Sequence, residues 1–403
     1  MKKNLTIQSA NKEILRRVRP IGSVKRLLTA ACGYTIAENI RAPFDLPSFD
    51  NAAMDGYAVR AEDLANANGN AHSLRLKEVI GAGHAPSQKL EHGETSAVMT
   101  GGRIPLGADT VVMVENTRRT GQTVEIFPPT KKGAHIRRKG EIVQKGKVIM
   151  RKGEVVTPVH VGILATFNYG IIRVYQKPCV AIFSTGDEVV PLGSRIPNGK
   201  IVDSNRHMIM AELEKMSISP IDMGIIRDRK SEIFRALKTA ASQFDVVITI
   251  GGVSMGEFDF VRKGIEKLGT IHFWKVKMKP GGPQIFGLIR GKPIFGLPGN
   301  PVSSFLVFQL FVAPALRKMG GIPDTHTRWE NAVLTTSTRK TAGKARFIPM
   351  KIDSNAGQTV AHPITEVGSH DLVHWANADG YGWIPTGKGT LRSGAVIKVT
   401  RFS

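Results

Sequence analysis

Apolar residues between positions 177 and 320 alternate between short continuous runs and longer stretches in which they recur at helical spacing. A continuous run of about four to eight apolar residues is typical of a strand buried on both faces, whereas helical spacing is typical of an amphipathic helix. The predicted strands are 180–183, 221–225, 246–250, 271–276, 284–289 and 293–297, and the predicted helices are 205–216, 231–241, 259–268 and one that begins at 301. This alternation predicts a mostly parallel sheet with helices on both faces.

The N-terminal region shows helical spacing as well. It predicts one helix capped by Ser9 and a second helix capped by Ser23 and ended by Gly33. Farther along, a short helix around 162–165 and a strand at 171–174 are predicted to pack back on these two helices.

Short β-like runs separated by glycines and prolines occupy two other parts of the chain, and each part predicts a β-rich domain. The predicted fold is therefore a multidomain α/β protein, whose central domain is mostly parallel. Its predicted domains are an N-terminal mixed domain of residues 1–45 and 142–176, a β-rich domain of 46–141, a central α/β domain of 177–326, and a small C-terminal β-barrel domain of 327–403.

The formal net charge of +23 bears on the possible partners. Residues 131–152 hold nine lysines and arginines against a single acid, Glu141, which is compatible with an anion site or with a generally basic surface. Aromatic residues make up only 6% of the chain and no nucleic-acid-binding motif is visible, so a nucleic-acid partner is disfavoured.

The remaining composition indicates a cytoplasmic protein with small-molecule partners. No run of about 18 apolar residues occurs, so no membrane span is expected. The basic N-terminus lacks the apolar stretch of a signal peptide. Cys32 and Cys179 are far apart in the sequence and are expected to be small buried residues rather than a disulfide or a zinc site.

Three loops that follow predicted strands carry the candidate chemistry: 184–188, 251–259 and 298–301. Ligands of α/β sheets bind at the carboxyl ends of the strands, where backbone N–H groups and helix N-termini favour anions. Acids at such strand ends, Glu188, Asp228 and Asp259, are candidate ligands of a hard cation such as Mg²⁺, which takes carboxylate and phosphate oxygens. The loops together predict one site for a phosphorylated ligand and a metal.

Lysines alternate along 275–279, where Lys275, Lys277 and Lys279 are predicted to share one face of a strand that runs into a Pro-Gly-Gly-Pro loop. They would neutralise a phosphate or another oxyanion. No catalytic triad or nucleophile elbow can be read from the sequence, so covalent catalysis has little support.

Taken in order, several motifs resemble the molybdopterin molybdenumtransferase family, the MoeA-like family that includes the E domain of gephyrin. The resemblance covers residues from about 10 to 320, with a weaker match to the end, and the ordered set is far more specific than any single motif. The matching segments are Phe49–Ala58, Thr100–Gly101, Ser184–Glu188, Asp203–Asn205, Gly224–Asp228, Gly251–Asp259, Lys279–Gly281 and Leu297–Pro301.

The resemblance implies a homodimer of four-domain subunits that takes adenylylated molybdopterin and molybdate, requires Mg²⁺, and yields molybdenum cofactor and AMP. It implies a site between the α/β domain of one subunit and the β-rich domain of the other, which Asp55 and Thr100 enter from the partner, and it leaves room for contact with the adenylating enzyme of the same pathway. The implied catalytic residues are Asp55, Glu188, Asp228 and Asp259, of which the last three would bind the metal. The implied substrate-binding residues are Thr100, Arg137, Ser184, Thr185, Gly251, Gly252, Ser254, Lys275, Lys279, Pro298, Gly299, Asn300 and Pro301.

One departure from the family pattern suggests an alternative function. Ile142 stands where the family usually places an Asp, so an acid expected to enter the site is missing. The first alternative is therefore a divergent paralogue that binds or carries molybdopterin as a dimeric scaffold without efficient transfer. A second alternative is an enzyme that adenylates molybdopterin, although the β-rich domain and the Asp55 motif argue against it.

Overall fold

The computed structural model describes residues 2–65, 71–81, 83–127, 131–253, 259–325, 327–355, 357–365 and 368–402. The chain divides into two compact units. The first unit consists of Met1–Glu38, Lys152–Val161 and Gly170–Ser403, and the second consists of Asn39–Arg151 and Gly162–Tyr169.

A seven-stranded sheet forms the centre of the first unit. Its strands, in order across the sheet, are Lys2–Leu5, Thr270–Val276, Ile285–Ile289, Lys292–Leu297, Val246–Ile250, Val180–Thr185 and Ile221–Ile226. Only Ile285–Ile289 runs antiparallel to its neighbours, so the prediction of a mostly parallel sheet is confirmed. The edge strand Lys2–Leu5, which pairs with Thr270–Val276, was not predicted.

Helices cover both faces of this sheet. Alternate strand residues point to opposite sides, and the residues on each side are apolar. Ile182 and Ile248 belong to one core, and their neighbours Ala181 and Val247 belong to the other. The helices on the first face are Ile7–Leu15, Ser204–Lys215 and Pro301–Val307, which continues through a π-helical turn, Phe308–Val312, into Ala313–Met319. Those on the second face are Lys230–Gln243 and Phe260–Leu268.

One helix is long and apolar enough to cross a membrane by length and composition alone. This helix, Pro301–Met319, is 78% buried over its apolar window, and it packs in the core of the first unit. It therefore has the surroundings of a core helix.

The N-terminal elements differ from their prediction. The first helix is capped by Thr6, whose hydroxyl accepts the amide of Ser9 at 3.2 Å, so Ser9 is not the cap. The predicted second helix is wrong, because Ser23–Leu27 is a strand that pairs with Ile171–Tyr175 and is followed by one 3₁₀ turn, Leu28–Ala30. Helical spacing of apolar residues was coincidental there, and the partner strand lies too far along the sequence to be read locally.

The C-terminal part of the first unit is a small barrel. Five strands close on one another, in the order Ala345–Asn355, Gln358–Pro363, Glu330–Leu334, Val396–Arg401, Gly380–Ile384 and back to the first. The prediction of a small C-terminal β-barrel is thus confirmed. The other elements of this unit are strands Val189–Val190, Ile201–Val202, Met278–Lys279, Thr338–Arg339 and Thr390–Leu391, and helix Leu372–Ala376. Helix Pro158–Thr166 begins in this unit and ends in the second.

The second unit is built on a six-stranded sheet. Its strands, in order, are Thr110–Met113, Gly56–Val59, Glu94–Val98, His72–Ile80, Thr123–Ile126 and Thr117–Thr120. Two small ladders join Asn51–Ala52 to Ile136–Arg137 and Ile40–Arg41 to Val148–Met150. The unit also contains helix Ala61–Leu64 and one 3₁₀ turn, Val114–Asn116.

Both cysteines are exposed and neither forms a disulfide. The expectation that Cys32 and Cys179 are buried was therefore wrong.

Glu94 is a buried acid whose charge is expected to stabilise the second unit. Its carboxylate accepts hydrogen bonds from Lys77 at 2.7 Å and from the Glu91 amide at 3.0 Å, and these partners, the lysine first, lower its pKa to about 2. A lowered pKa stabilises the folded state above the ordinary pKa of 4.5, and the stabilisation is lost as the pH falls towards 2.

We expect Glu94→Gln to lower the free energy of unfolding by about 1–3 kcal/mol at neutral pH, with a deficit that shrinks as the pH falls below about 4.5. Urea unfolding of wild type and variant, at pH values from neutral to below 4.5, measures this deficit in unfolding free energy. Glu91→Gln, which removes an exposed acid, serves as the control. A deficit of Glu94→Gln that does not depend on pH would contradict the prediction.

Candidate active site

Four strand ends meet at one edge of the central sheet. Strands Lys292–Leu297, Val246–Ile250, Val180–Thr185 and Ile221–Ile226 are adjacent and parallel, so the loops that follow them lie side by side, as the sequence predicted.

Gly251 and Gly252 allow the loop after Val246–Ile250 to pack tightly. Both have positive φ, +88° and +64°. A Cβ on Gly251 would lie 2.3 Å from the carbonyl oxygen of Thr185, and one on Gly252 would lie 2.8 Å from Val261 Cγ2. Any side chain here would strain the backbone and push the neighbouring strand end away. The glycines therefore keep the two loops in contact.

A buried charge network that the sequence did not reveal holds the end of strand Val180–Thr185. The Ser184 hydroxyl donates to Asp203 at 3.0 Å, and Asp203 also caps helix Ser204–Lys215 by accepting the Arg206 amide at 3.2 Å. The Arg206 guanidinium donates to Asp203 at 2.7 Å and to Asp222. Asp203 belongs to the segment Asp203–Asn205, one of the segments that match the family. That match was the only sign in the sequence that Asp203 matters for the site. Ser184 is thus held by a buried carboxylate.

Asp228 lies in a cluster of acids beside this strand end. Thr185 Oγ1 lies 3.5 Å from Asp228 Oδ1. Burial raises the pKa of Asp228, and the charges of Asp187 and Glu188 raise it further. Glu188 is exposed and folds back over Gly186, since a Cβ there would lie 2.7 Å from a Glu188 carboxylate oxygen. The charges of its two neighbours therefore oppose the ionisation of Asp228.

Asp259 is the most deeply placed acid of the site. It is only 3% exposed and caps helix Phe260–Leu268 by accepting the Arg262 amide at 3.1 Å. Its second carboxylate oxygen, Oδ2, is buried without a hydrogen-bond partner. Burial raises the pKa of Asp259 to about 7, against the opposing effect of Arg262, and the charge of Asp228 adds to the rise. A cation would relieve both the orphaned oxygen and the repulsion between the two acids.

The acids do not form a closed cage for a metal. Over the described ranges, no group of three His, Cys, Asp or Glu side chains lies close enough to hold an ion. Mg²⁺ usually takes one or two carboxylates and completes its shell with water and phosphate oxygens. Asp228 and Asp259 therefore fit a Mg²⁺ ion that arrives with an anionic ligand.

The lysines do not share one strand face, and that prediction was wrong. The strand ends at Val276, and Lys275 has a positive φ of +68°. Lys279 is exposed and belongs to the short strand Met278–Lys279, which pairs with the barrel. The prediction used only the spacing of the lysines in the sequence. The backbone conformation after Val276 depends instead on the pairing of Met278–Lys279 with the barrel strand.

Lys275 instead faces an aromatic ring. Its ammonium lies 4.4 Å from the centre of the Trp274 ring, and the Arg262 guanidinium lies 5.4 Å from the same ring. Trp274 is buried and donates to the carbonyl of Val253 at 3.4 Å, next to the glycine loop. The sequence did not single out Trp274 or Arg262. Arg262 brings positive charge towards Asp259, whereas Trp274 supplies the ring that both cations face.

The loop Pro298–Pro301 is fixed from two sides. Asn205 donates to the Gly299 carbonyl at 2.6 Å, and the Asn300 side chain donates to the Ser369 hydroxyl at 2.9 Å. The Val302 amide donates to the Ser369 carbonyl at 3.1 Å, so one N–H group of the following helix is already bonded within the protein. The loop is therefore a rigid wall of the site rather than an open helix end.

In the second unit, Asp55 and Thr100 lie together, although they are far apart in the sequence. Asp55 accepts the amide of Thr100 at 2.6 Å and its hydroxyl at 2.8 Å, and these bonds, the amide first, lower the pKa of Asp55. Arg137 is exposed on the short ladder opposite Asn51. Asp55 is therefore an exposed and oriented carboxylate.

Two further positions named from the sequence are Ser254 and Ile142. Ser254 lies outside the described residues. Ile142 is 63% exposed, so a polar side chain could replace it without loss of packing.

Three family models match successive parts of the chain. They are described as the MoeA N-terminal region (domain I and II), over residues 5–168, a probable molybdopterin binding domain, over 181–318, and the MoeA C-terminal region (domain IV), over 331–402.

Relatives and solved structures agree with these matches. The chain is 33% identical to the molybdopterin molybdenumtransferase of Haemophilus influenzae over 99% of both chains, and 34% identical to molybdopterin molybdenumtransferase 2 of Mycobacterium tuberculosis over 96% of both. It is also similar to the crystal structure of the molybdopterin biosynthesis MoeA protein from Pyrococcus horikoshii, with a TM-score of 0.85 and 31% identity over 99% of both chains.

Proposed function

Since the chain belongs to the MoeA family of molybdopterin molybdenumtransferases, we propose that it is a transferase of molybdenum cofactor biosynthesis that inserts molybdenum into molybdopterin. Its substrates are adenylylated molybdopterin and molybdate, and its products are molybdenum cofactor and AMP. The observation that supports this most is the meeting of glycine loops, acids and a lysine at one edge of the central sheet. An assay of the purified protein with these two substrates tests it.

Binding of the anionic substrates is assigned to the carboxyl edge of the sheet. The Ser184 and Thr185 hydroxyls fix the strand end through Asp203 and Asp228. The backbone of the Gly251–Gly252 loop lies beside them, and Lys275 brings a positive charge towards the same edge. Donors of this kind stabilise phosphate and molybdate oxygens and hold the reacting groups in place. The transfer requires positioning and charge neutralisation rather than a nucleophilic side chain, so the chemistry fits a site without a triad.

Asp228 and Asp259 would hold the Mg²⁺ ion, while Glu188 would contribute through the effect of its charge on Asp228. Such an ion supplies positive charge that stabilises the adenylate phosphate during its cleavage. The protein's own contribution is to keep Asp259 oriented through the Arg262 amide, and Asp228 oriented through Thr185.

The active form is proposed to be a homodimer, in which Asp55 and Thr100 of one subunit complete the site of the other. The exposed position of Asp55 and its fixed orientation by Thr100 support a carboxylate that acts on a group outside its own unit. We also propose a cytoplasmic location, which suits two free exposed cysteines. Contact with the adenylating enzyme of the pathway remains part of this proposal.

Mixed dimers of Asp55→Ala and Glu188→Ala chains provide a direct test of shared sites. Each variant alone is expected to be nearly inactive. Random mixing of subunits should restore about a quarter of wild-type activity, because half of the dimers then hold one intact site. Absence of any recovery, or full activity in a monomer that persists on dilution, would contradict the shared site.

Ile142→Asp is expected to raise transfer at limiting molybdate or Mg²⁺, because it adds the acid that the family usually has there. The exposure of Ile142 predicts no loss of stability. Product formed is measured while molybdate is titrated against wild type and variant, with Ile142→Asn as the uncharged control. Identical curves for all three proteins would place residue 142 outside the working site.

The two alternative functions have less support. A carrier without efficient transfer rests on Ile142 alone, whereas the relatives that match nearly the whole chain are named transferases. An adenylating enzyme does not account for the matches to both the N-terminal and the C-terminal MoeA regions.

A further inference from the structure

A cleft of about 640 Å³ lies within the first unit, between two helices of the central domain and the C-terminal barrel. We refer to it as the C-terminal cleft. Its lining comes from helix Ser204–Lys215, helix Pro301–Met319, the barrel strands Gly380–Ile384 and Val396–Arg401, and, between helix and barrel, Ile322, Asp324 and residues 327–330. Arg317 lines it 16 residues beyond Pro301, which corresponds to about 24 Å along the helix from the active-site loop. The cleft is therefore separate from the proposed active site.

Two polar groups in this cleft form no hydrogen bond or ion pair within the part of the chain that the structure describes. Tyr381 is only 3% exposed, and its hydroxyl makes no hydrogen bond to any described residue. Arg317 is half-buried, and no carboxylate of the described ranges lies within ion-pair distance of it. Burial lowers the pKa of Arg317, against the opposing effects of Tyr381 and Glu212. Both groups line the open cleft, where their hydrogen-bonding capacity is available to a ligand.

The charges around them favour an anion. Lys215 and Arg328 also line the cleft, and like Arg317 they form no ion pair with a described residue. Three acids, Glu212, Asp324 and Glu330, line the cleft as well, and each has a partner. The charge of Glu212 also acts on Arg317. Glu212 accepts a hydrogen bond from Gln309 at 2.8 Å, and Glu330 pairs with Arg401 at 3.1 Å. Four basic side chains, Lys215, Arg317, Arg328 and Arg401, therefore stand against three acids, and the cleft keeps a small excess of positive charge.

The walls of the cleft are aromatic. The Trp329 ring is half-buried and lies edge to face with Tyr381, at 5.8 Å between ring centres, and Phe402 lies 6.0 Å from Tyr381. Such walls accept a flat ring, and the planar guanidinium of Arg317 matches a carboxylate or phosphate with two parallel hydrogen bonds.

We propose that the C-terminal cleft binds a small aromatic oxyanion, whose charged oxygens accept hydrogen bonds from Arg317 and Tyr381 and whose ring packs against Trp329. The carboxylate or the phosphate of such a ligand has the same recognition chemistry. This second site does not depend on the transferase activity.

Phenyl phosphate, benzoate and uncharged benzamide are suitable probes. The protein is labelled with 5-fluorotryptophan, which replaces Trp274, Trp329, Trp375 and Trp383, and ¹⁹F resonances are assigned by substitution of single tryptophans. Binding in the cleft should shift the Trp329 resonance, whereas binding at the active site should shift that of Trp274. We expect at least one of the two anions to shift Trp329 and benzamide to leave it unchanged. A shift of Trp274 alone, or equal effects of benzamide and the anions, would overturn the proposal.

The affinities of variants show whether Arg317 and Tyr381 bind the anion. Arg317→Met should weaken the affinity of the better anion by about tenfold to a hundredfold, and Tyr381→Phe by several-fold, because each removes a hydrogen bond to a charged group. Each variant removes a polar group that makes no hydrogen bond or ion pair with a described residue, so the thermal stability should change little. Arg317→Lys should give an intermediate affinity, and the exposed Arg235→Met should bind like wild type. Wild-type affinity in both Arg317→Met and Tyr381→Phe would overturn the proposal.

The same titrations identify the class of oxyanion. Tighter binding of phenyl phosphate assigns a phosphorylated ligand, and tighter binding of benzoate assigns a carboxylate. Inorganic phosphate alone should bind more weakly than phenyl phosphate, since it lacks the ring. Equal binding of inorganic phosphate and phenyl phosphate would contradict the aromatic part of the proposal.

Discussion

Asp259→Asn is expected to lower the rate of molybdenum transfer at least about a hundredfold while leaving the fold intact. Asparagine is nearly as good a helix cap as aspartate, so it retains the hydrogen bond from the Arg262 amide. It has no negative charge, however, and it cannot supply the buried carboxylate oxygen that now lacks a partner. The variant thus separates the structural role of Asp259 from its proposed role towards Mg²⁺.

The measurement is the rate of transfer as a function of Mg²⁺ concentration, together with thermal unfolding. The variant should need far more Mg²⁺ than wild type, or should fail to respond to it, and its melting temperature should change little. Glu214→Gln removes an exposed acid from helix Ser204–Lys215 and is the matched control. Wild-type rates of Asp259→Asn at every Mg²⁺ concentration would show that Asp259 is only a cap.

The central domain was the most predictable part of the fold, because its elements are encoded locally. Strand Val246–Ile250 was predicted with its true bounds, and the other strands of this domain differ by one or two residues at their ends. The strand–helix alternation also fixed which strand ends meet, since parallel strands have their carboxyl ends at one edge.

Elements whose partners are remote in the sequence were not predictable in this way. Strand Lys2–Leu5 is stabilised only by Thr270–Val276, and Ser23–Leu27 only by Ile171–Tyr175. Their own residues carry a weak or misleading pattern, so the choice between helix and strand is made by tertiary pairing. The lysine segment is a further example of a remote partner. The short strand Met278–Lys279, which follows Lys275, pairs with a barrel strand that begins only at Ala345.

The candidate site shows the same division. Position along the chain placed Thr185, Asp228 and Asp259 at strand ends, and the structure brings them to one edge. The sequence could not show that Arg206 is buried, since a charged residue on a predicted helix is usually solvated. Its partner Asp222 lies on the next strand, and only the fold brings the two together.

Arg206→Met is expected to cost about 3–5 kcal/mol of stability, because it leaves a buried carboxylate without its counter-charge. Arg206 is 5% exposed and Asp203 is 3% exposed, so water cannot replace the lost partner. Asp203 also holds the Ser184 hydroxyl, and the variant should therefore weaken substrate binding as well. The expected loss is far larger than the change of about 0.5 kcal/mol that is typical of a surface substitution.

Urea unfolding followed by circular dichroism and by tryptophan fluorescence measures the loss, with the exposed Arg235→Met as the control. The double variant Arg206→Met with Asp203→Asn should recover a large part of the stability. Asparagine still caps helix Ser204–Lys215 and still accepts the Ser184 hydroxyl, but it leaves no unpaired charge buried beside the strand. If the single variant unfolds at the same urea concentration as wild type, the network does not stabilise this edge of the sheet. If the double variant is no more stable than the single one, the loss comes from packing of the arginine side chain rather than from the buried charge of Asp203.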